Sequence, residues 1–103
     1  MFKIKNTGNS TYTFTFYMTK NQKLVKSIAY TSYQDIQGSI KELQQMPVNS
    51  LIERKTKPNG KFYFVLKNEQ GKIVAESWEY SSESGMDKEI LLLKSSFADA
   101  EIG

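Results

Sequence analysis

Sliding the chain by fifty residues lays one half on the other, and this self-similarity constrains the fold more than any other feature. Lys61 to Tyr80, KFYFVLKNEQGKIVAESWEY, reads as two β-strands joined by a turn at Asn68 to Gly71, and it runs into SSESGMDKEILLLK, an amphipathic helix. The same plan occurs at Thr11 to Tyr30, followed by TSYQDIQGSIKELQQM. Without a gap the offset pairs Phe14 with Phe64, Ser27 with Ser77, Tyr30 with Tyr80 and Ser32 with Ser82. It continues through Ile40 with Ile90, Leu43 with Leu93 and Ile52 with Ile102. Neither half can bury a helix and a few strands alone, and one shared sheet solves that problem. The expected fold class is α+β: tandem β-β-β-α-β repeats sharing one mostly antiparallel sheet, with two helices packed on one face. The chain is read as a single domain, 1–103, made of pseudo-repeats 1–50 and 51–103.

The elements follow from local pattern. Phe2-Lys3-Ile4-Lys5 alternates as a short strand. In the next strand Tyr12, Phe14, Phe16 and Met18 share one face, and Thr11, Thr13, Thr15 and Tyr17 the other. Leu24 to Tyr30 returns, but its inward face is divided between Leu24, Ile28, Tyr30 and Val25, Ser27, Ala29. Ser32 is the expected N-cap, with Asp35 completing a near-match to a capping box. Tyr33, Ile36, Ile40 and Leu43 form a helical stripe that stops before Pro47. Leu51 to Thr56 is expected as a strand that closes the first half and opens the second. Phe62, Phe64 and Leu66 then alternate, Ile73 to Glu79 returns, and Met86, Ile90, Leu93 and Phe97 form the second stripe. Ala98 to Ile102 is expected as a closing strand.

Composition closes several routes. The 103 residues include no cysteine and no histidine, which removes thiolate chemistry, the commonest general base and the commonest transition-metal ligand. Asp87 with Glu89, or Glu76 with Glu79, could be proposed as paired acids, but neighbouring surface charges explain them better. No enzyme, cofactor or metal site is expected. No run approaches the roughly 20 apolar residues of a membrane span, and the start MFKIKNTGNS has no apolar leader. A cytoplasmic location and no membrane partner are therefore expected. The net charge of +3 is mild and scattered along the chain rather than gathered in a dense run.

At LKNEQGKIVAESWEYSSESGMDKEI the chain resembles the YegP-like family, small bacterial proteins built from one or two copies of a domain of unknown function. Leu66-Lys67, Gly71, Ser77, Tyr80, Ser82 and Ile90 stand in register with the family pattern. The first half matches through Phe2, Ile4, Tyr12, Phe14, Ser27, Tyr30-Thr31-Ser32 and Ile40. It departs where Asn21 replaces the turn Gly and Phe16-Tyr17 replaces Leu-Lys, and Lys88-Glu89 stand where Asn-Gly is usual. The resemblance implies β-β-β-α-β units that share a single sheet and exchange their terminal strands. It implies no established activity and transfers no catalytic residue.

Three features are candidate contacts. The open sheet face would carry Thr13, Thr15, Tyr17, Tyr63, Val65 and Lys67, where aromatic rings could hold bases and lysines phosphates. Thr and Tyr also suit any antiparallel sheet, so these residues satisfy strand preference without a ligand. Leu91 and Leu92 stand where the first half has Lys41 and Glu42, and an exposed leucine pair suits a contact with another chain. Trp78 takes the place of Ile28 and is expected in the core. The expected function is a non-catalytic macromolecular interaction module, binding a protein or a second copy of itself through Leu91-Leu92 or the sheet face. The alternative is weak, sequence-tolerant nucleic-acid binding through Tyr17, Tyr63 and Lys67.

Overall fold

The computed structural model describes the backbone of residues 1–103 and the side chains of all but Val48 and Asn49. Strands β1 (Phe2–Asn6), β2 (Tyr12–Thr19) and β3 (Gln22–Ser27) lead into helix α1 (Tyr33–Gln45). A four-residue helix α2 (Val48–Leu51) precedes β4 (Ile52–Thr56), β5 (Phe62–Lys67), β6 (Ile73–Ser77) and helix α3 (Glu83–Ser96). The six strands form one sheet in the order β1-β2-β3-β6-β5-β4, and every neighbouring pair is antiparallel. Ile36, Ile40 and Leu43 of α1 and Met86, Ile90 and Leu93 of α3 enter one core with Phe14, Phe16, Phe64 and Leu66. Both helices thus cover the same face of an α+β fold and leave the other face open.

The ladders recur at an offset of fifty. Phe2 to Asn6 pair with Phe16 to Tyr12, and Ile52 to Thr56 pair with Leu66 to Phe62. In β3 the pairing jumps from Phe16↔Val25 to Tyr17↔Lys23, which leaves Leu24 as an extra residue. In β6 it jumps from Leu66↔Ala75 to Lys67↔Ile73, leaving Val74. A bulge lets consecutive side chains turn to the same side, and Leu24 with Val25, like Val74 with Ala75, are all buried in the core. This is why simple alternation could not choose an inward face for the return strand.

Past each bulge a serine completes the ladder. Ser27 Oγ accepts the Phe14 N–H at 2.8 Å and donates to the Ile28 carbonyl at 2.8 Å. Ser77 does the same for the Phe64 N–H and the Trp78 carbonyl, both at 2.9 Å. A strand amide buried without a partner is costly, so a hydroxyl at this point lets the chain leave the sheet and still satisfy its neighbour.

Other expectations change in detail. Leu51 belongs to α2 and is buried, so the edge strand begins at Ile52. The return strands end at Ser27 and Ser77, with Tyr30 and Tyr80 making only single bridges to Tyr12 and Phe62. Ala98 to Ile102 is not a strand: Ile102 makes one parallel bridge to Phe2. There the Phe2 N–H donates to the Glu101 carbonyl and the Gly103 N–H to the Phe2 carbonyl, both at 2.8 Å. Tyr33 lies outside the α1 stripe at 45% exposure, edge-on to Tyr12. Ser32 Oγ accepts the Asp35 N–H, as expected of the N-cap, and Ser82 Oγ accepts the Gly85 N–H in the same way at the start of α3. Gly71 takes φ +79 in the second hairpin, whereas Asn21 is not among the residues at positive φ.

The seam between β3 and β6 pairs Val25 with Ser77, Lys26 with Glu76 and Ser27 with Ala75. Its centre sets a residue against the one fifty positions away. Identical halves would place two lysines or two glutamates face to face, and like charges directly opposite destabilise a ladder. Lys26 and Glu76 instead carry opposite charges. Glu76→Lys should lower stability by about 0.2–1 kcal/mol in denaturant unfolding, and Lys26→Glu added to it should restore the loss.

Candidate functional site: the open face of the sheet

Because Phe2, Phe14 and Phe16 point to the helices, the intervening positions point away from them. Successive pairings string one row across the whole sheet: Lys3, Thr15, Lys26, Glu76, Val65, Glu53. Val65 is fully buried although it stands outside the core cluster, so its neighbours on the open face cover it.

A groove of about 700 Å³ lies over the seam, lined by Lys26, Ser27, Lys57, Glu76, Ser77, Trp78 and Glu79. Trp78 is 44% exposed, which corrects its expected place in the core. Its counterpart Ile28 is partly buried and packs against the core. Both residues stand one position past their strand; the Ile28 N–H donates to the Val74 carbonyl at 2.9 Å and its side chain turns in, whereas Trp78 turns outward. The sequence did hold a signal: Trp78 sits in ESWE, between two glutamates.

Charge is arranged in small clusters. Lys57 Nζ meets Glu79 Oε2 at 2.7 Å and lies 5.1 Å from the centre of the Tyr63 ring. The hydrogen bond to Glu79 holds the Lys57 ammonium above its usual range, and the same bond holds the Glu79 carboxyl below the usual carboxylate range. Lys67 is ion-paired with Glu53 and holds that carboxyl low as well. Fifty residues earlier the same two positions are Lys3 and Tyr17, and Lys3 Nζ lies 5.1 Å from the Tyr17 ring centre. One place in the fold thus carries a cation–π contact in one half and an ion pair in the other.

The other expected contacts are dispersed. Tyr17 is on β2, while Tyr63 and Lys67 are on β5, with β3 and β6 between them. Three strand spacings put the two tyrosines' strands about 14 Å apart, so they form no continuous stacking platform. Leu91 and Leu92 lie on α3, on the helix side of the sheet; Leu91 is 64% exposed and Leu92 half-buried. Of the four acids weighed as pairs, Asp87 bonds to Arg54, Glu79 to Lys57 and Glu89 to Gln22, while Glu76 stands opposite Lys26 in the ladder. Among the described residues no group of His, Cys, Asp or Glu is arranged to hold a metal ion, and no helix is long and apolar enough to cross a membrane.

Tyr80 begins just past the groove, its ring stacked on Phe64 at 6.3 Å. Burial pushes its hydroxyl up to about 12, with Glu89 adding to the shift. The folded chain therefore keeps a proton that an unfolded tyrosine, at 10.0, gives up. That contribution to stability is complete below pH 10 and is lost as pH rises through about 12. Tyr80→Phe has nothing to titrate there, so its unfolding midpoint should fall less steeply over that interval than the wild type's.

Comparison with known proteins places this architecture. The domain of unknown function DUF1508 matches residues 58–103. No curated protein matches the sequence. A UPF0339 protein of Shewanella oneidensis, solved by NMR, superposes with a TM-score of 0.90 at 22% identity, covering 98% of this chain and 86% of its own. The protein of unknown function YegP from E. coli, also solved by NMR, superposes with a TM-score of 0.83 at 24% identity, covering 98% and 87%. At these identities the two structures speak for the fold. The DUF1508 match thus covers the second half, and nearly the whole chain shares the fold of these two structures.

Proposed function

We propose that the chain is a non-catalytic interaction module, two copies of one unit in a single domain, that holds a protein partner in the groove over its central seam. Trp78 carries this reading. Where the first half tucks Ile28 against the core, the second half presents the only tryptophan of the chain to solvent at the groove's wall. Tryptophan is enriched among the residues that dominate binding energy, and it works best inside a polar rim. Here Lys26, Lys57, Glu76 and Glu79 supply a rim of both signs. A mixed rim of this kind suits a polypeptide, whose side chains and backbone offer both charges and hydrogen bonds.

The leucine pair contributes less to the reading than the groove does. Only Leu91 is well exposed, and isolated surface leucines are ordinary.

Trp78→Ala removes a surface ring, so stability should change by no more than about 0.5 kcal/mol. Proteins retained from nuclease-treated lysate by the wild-type chain should be lost with this variant and kept with Leu91→Lys. Retention of the same set by Trp78→Ala would refute the groove as the contact. On binding, the emission of the single tryptophan should shift to the blue as its ring leaves water.

A further inference from the structure

The scattered charge of the linear sequence becomes ordered once the strands are placed. The first 34 residues contain five lysines and no acid; the other nine Lys and Arg are outnumbered by all eleven acids. The pairing registers set Lys3, Lys5, Lys23 and Lys26 on the open face of β1 and β3, all exposed, with Tyr17 on β2 between the two strands. Fifty residues on, these positions are Glu53, Lys55, Ile73, Glu76 and Lys67. One half of the open face is thus strongly cationic, and the other is close to neutral.

We propose that this lysine-bearing half, formed by β1 to β3, binds single-stranded nucleic acid, with Tyr17 as the stacking ring. A cleft of about 210 Å³ beside that ring is lined by Met1, Lys3, Tyr17, Met18, Thr19 and Lys20. It offers an apolar wall next to two ammonium groups, the combination that receives a base with its phosphate. Lys3 now caps the Tyr17 ring, and as an exposed, flexible side chain it can exchange the ring for a phosphate when a base arrives. Lys3 and Lys5 lie about 7 Å apart along β1, and β3 brings Lys26 about 10 Å from β1. The cations therefore form a strip across the sheet rather than a single point. A duplex offers no free base face to the ring, and a membrane surface would not require one, so the chemistry favours an unpaired strand. The surface is distinct from the groove under Trp78, and the two share only Lys26.

The test uses the whole chain and a fluorescein-labelled oligothymidylate of about fifteen nucleotides, read by anisotropy across a salt series. Contacts from three lysines predict a slope of log K against log salt of about −2, and Lys3→Gln or Lys5→Gln should each reduce it by about 0.7. Tyr17→Ala should weaken binding about five- to 150-fold while Tyr17→Phe keeps the ring and the affinity. Tyr63→Ala and Trp78→Ala should leave binding unchanged. Both lysine variants are at exposed sites, so they report even where Tyr17→Ala perturbs folding. No binding at low salt, binding insensitive to salt, or equal loss with Tyr63→Ala would overturn the proposal. So would capture by phosphatidylserine vesicles without capture by the oligonucleotide.

Discussion

Everything in this molecule depends on a short antiparallel contact at the middle of the sheet, where β3 meets β6. Each half offers three strands and one helix, too little to remove its helix stripe from water alone. Joined at the seam, the halves give both helices a common bed, and Phe14, Phe16, Phe64 and Leu66 fill it. The contact also exposes a cost of building from similar halves. Its centre opposes residues 26 and 76, so a charged residue there cannot be the same in both. Lys26 and Glu76 differ as that geometry requires.

Divergence at the first edge follows packing. At the first edge Phe2 is ringed by Phe14, Phe16 and Phe97, where the second half has the smaller Ile52. Gln44 of α1 donates to the carbonyls of Phe97 and Ala100 and ties the end of α3 back to its neighbour. On the open face no packing dictates the choice, yet lysines occupy one half and mixed charges the other. That asymmetry, together with an outward tryptophan in one half only, is what a binding surface added to a near-symmetric scaffold would look like.

Much of the scaffold was legible in the residues. The alternation through Phe14 and Phe16 and the stripe of Met86, Ile90, Leu93 and Phe97 mark elements whose period matches their burial. The return strands were not legible in the same way, because a bulge at Leu24 and at Val74 breaks the period of two that alternation relies on. Leu51 misled because one buried leucine before a strand satisfies either element. The candidate contacts were harder still. Whether Trp78 faces in or out is not set by where β6 ends, because Ile28 follows β3 at the same point, past the same serine contact, and packs against the core. Whether lysines cluster depends on which strands become neighbours, which no linear count of charge reveals.

The shared sheet is tested most directly by hydrogen exchange of the native state. If the seam makes one cooperative unit, the amides of Phe14 and Phe64, one from each half, should open with the same free energy, equal to that of global unfolding. Val25 and Ala75 at the seam should share that value. Two separate values, with one half protected while the other exchanges, would contradict a single core built across β3 and β6.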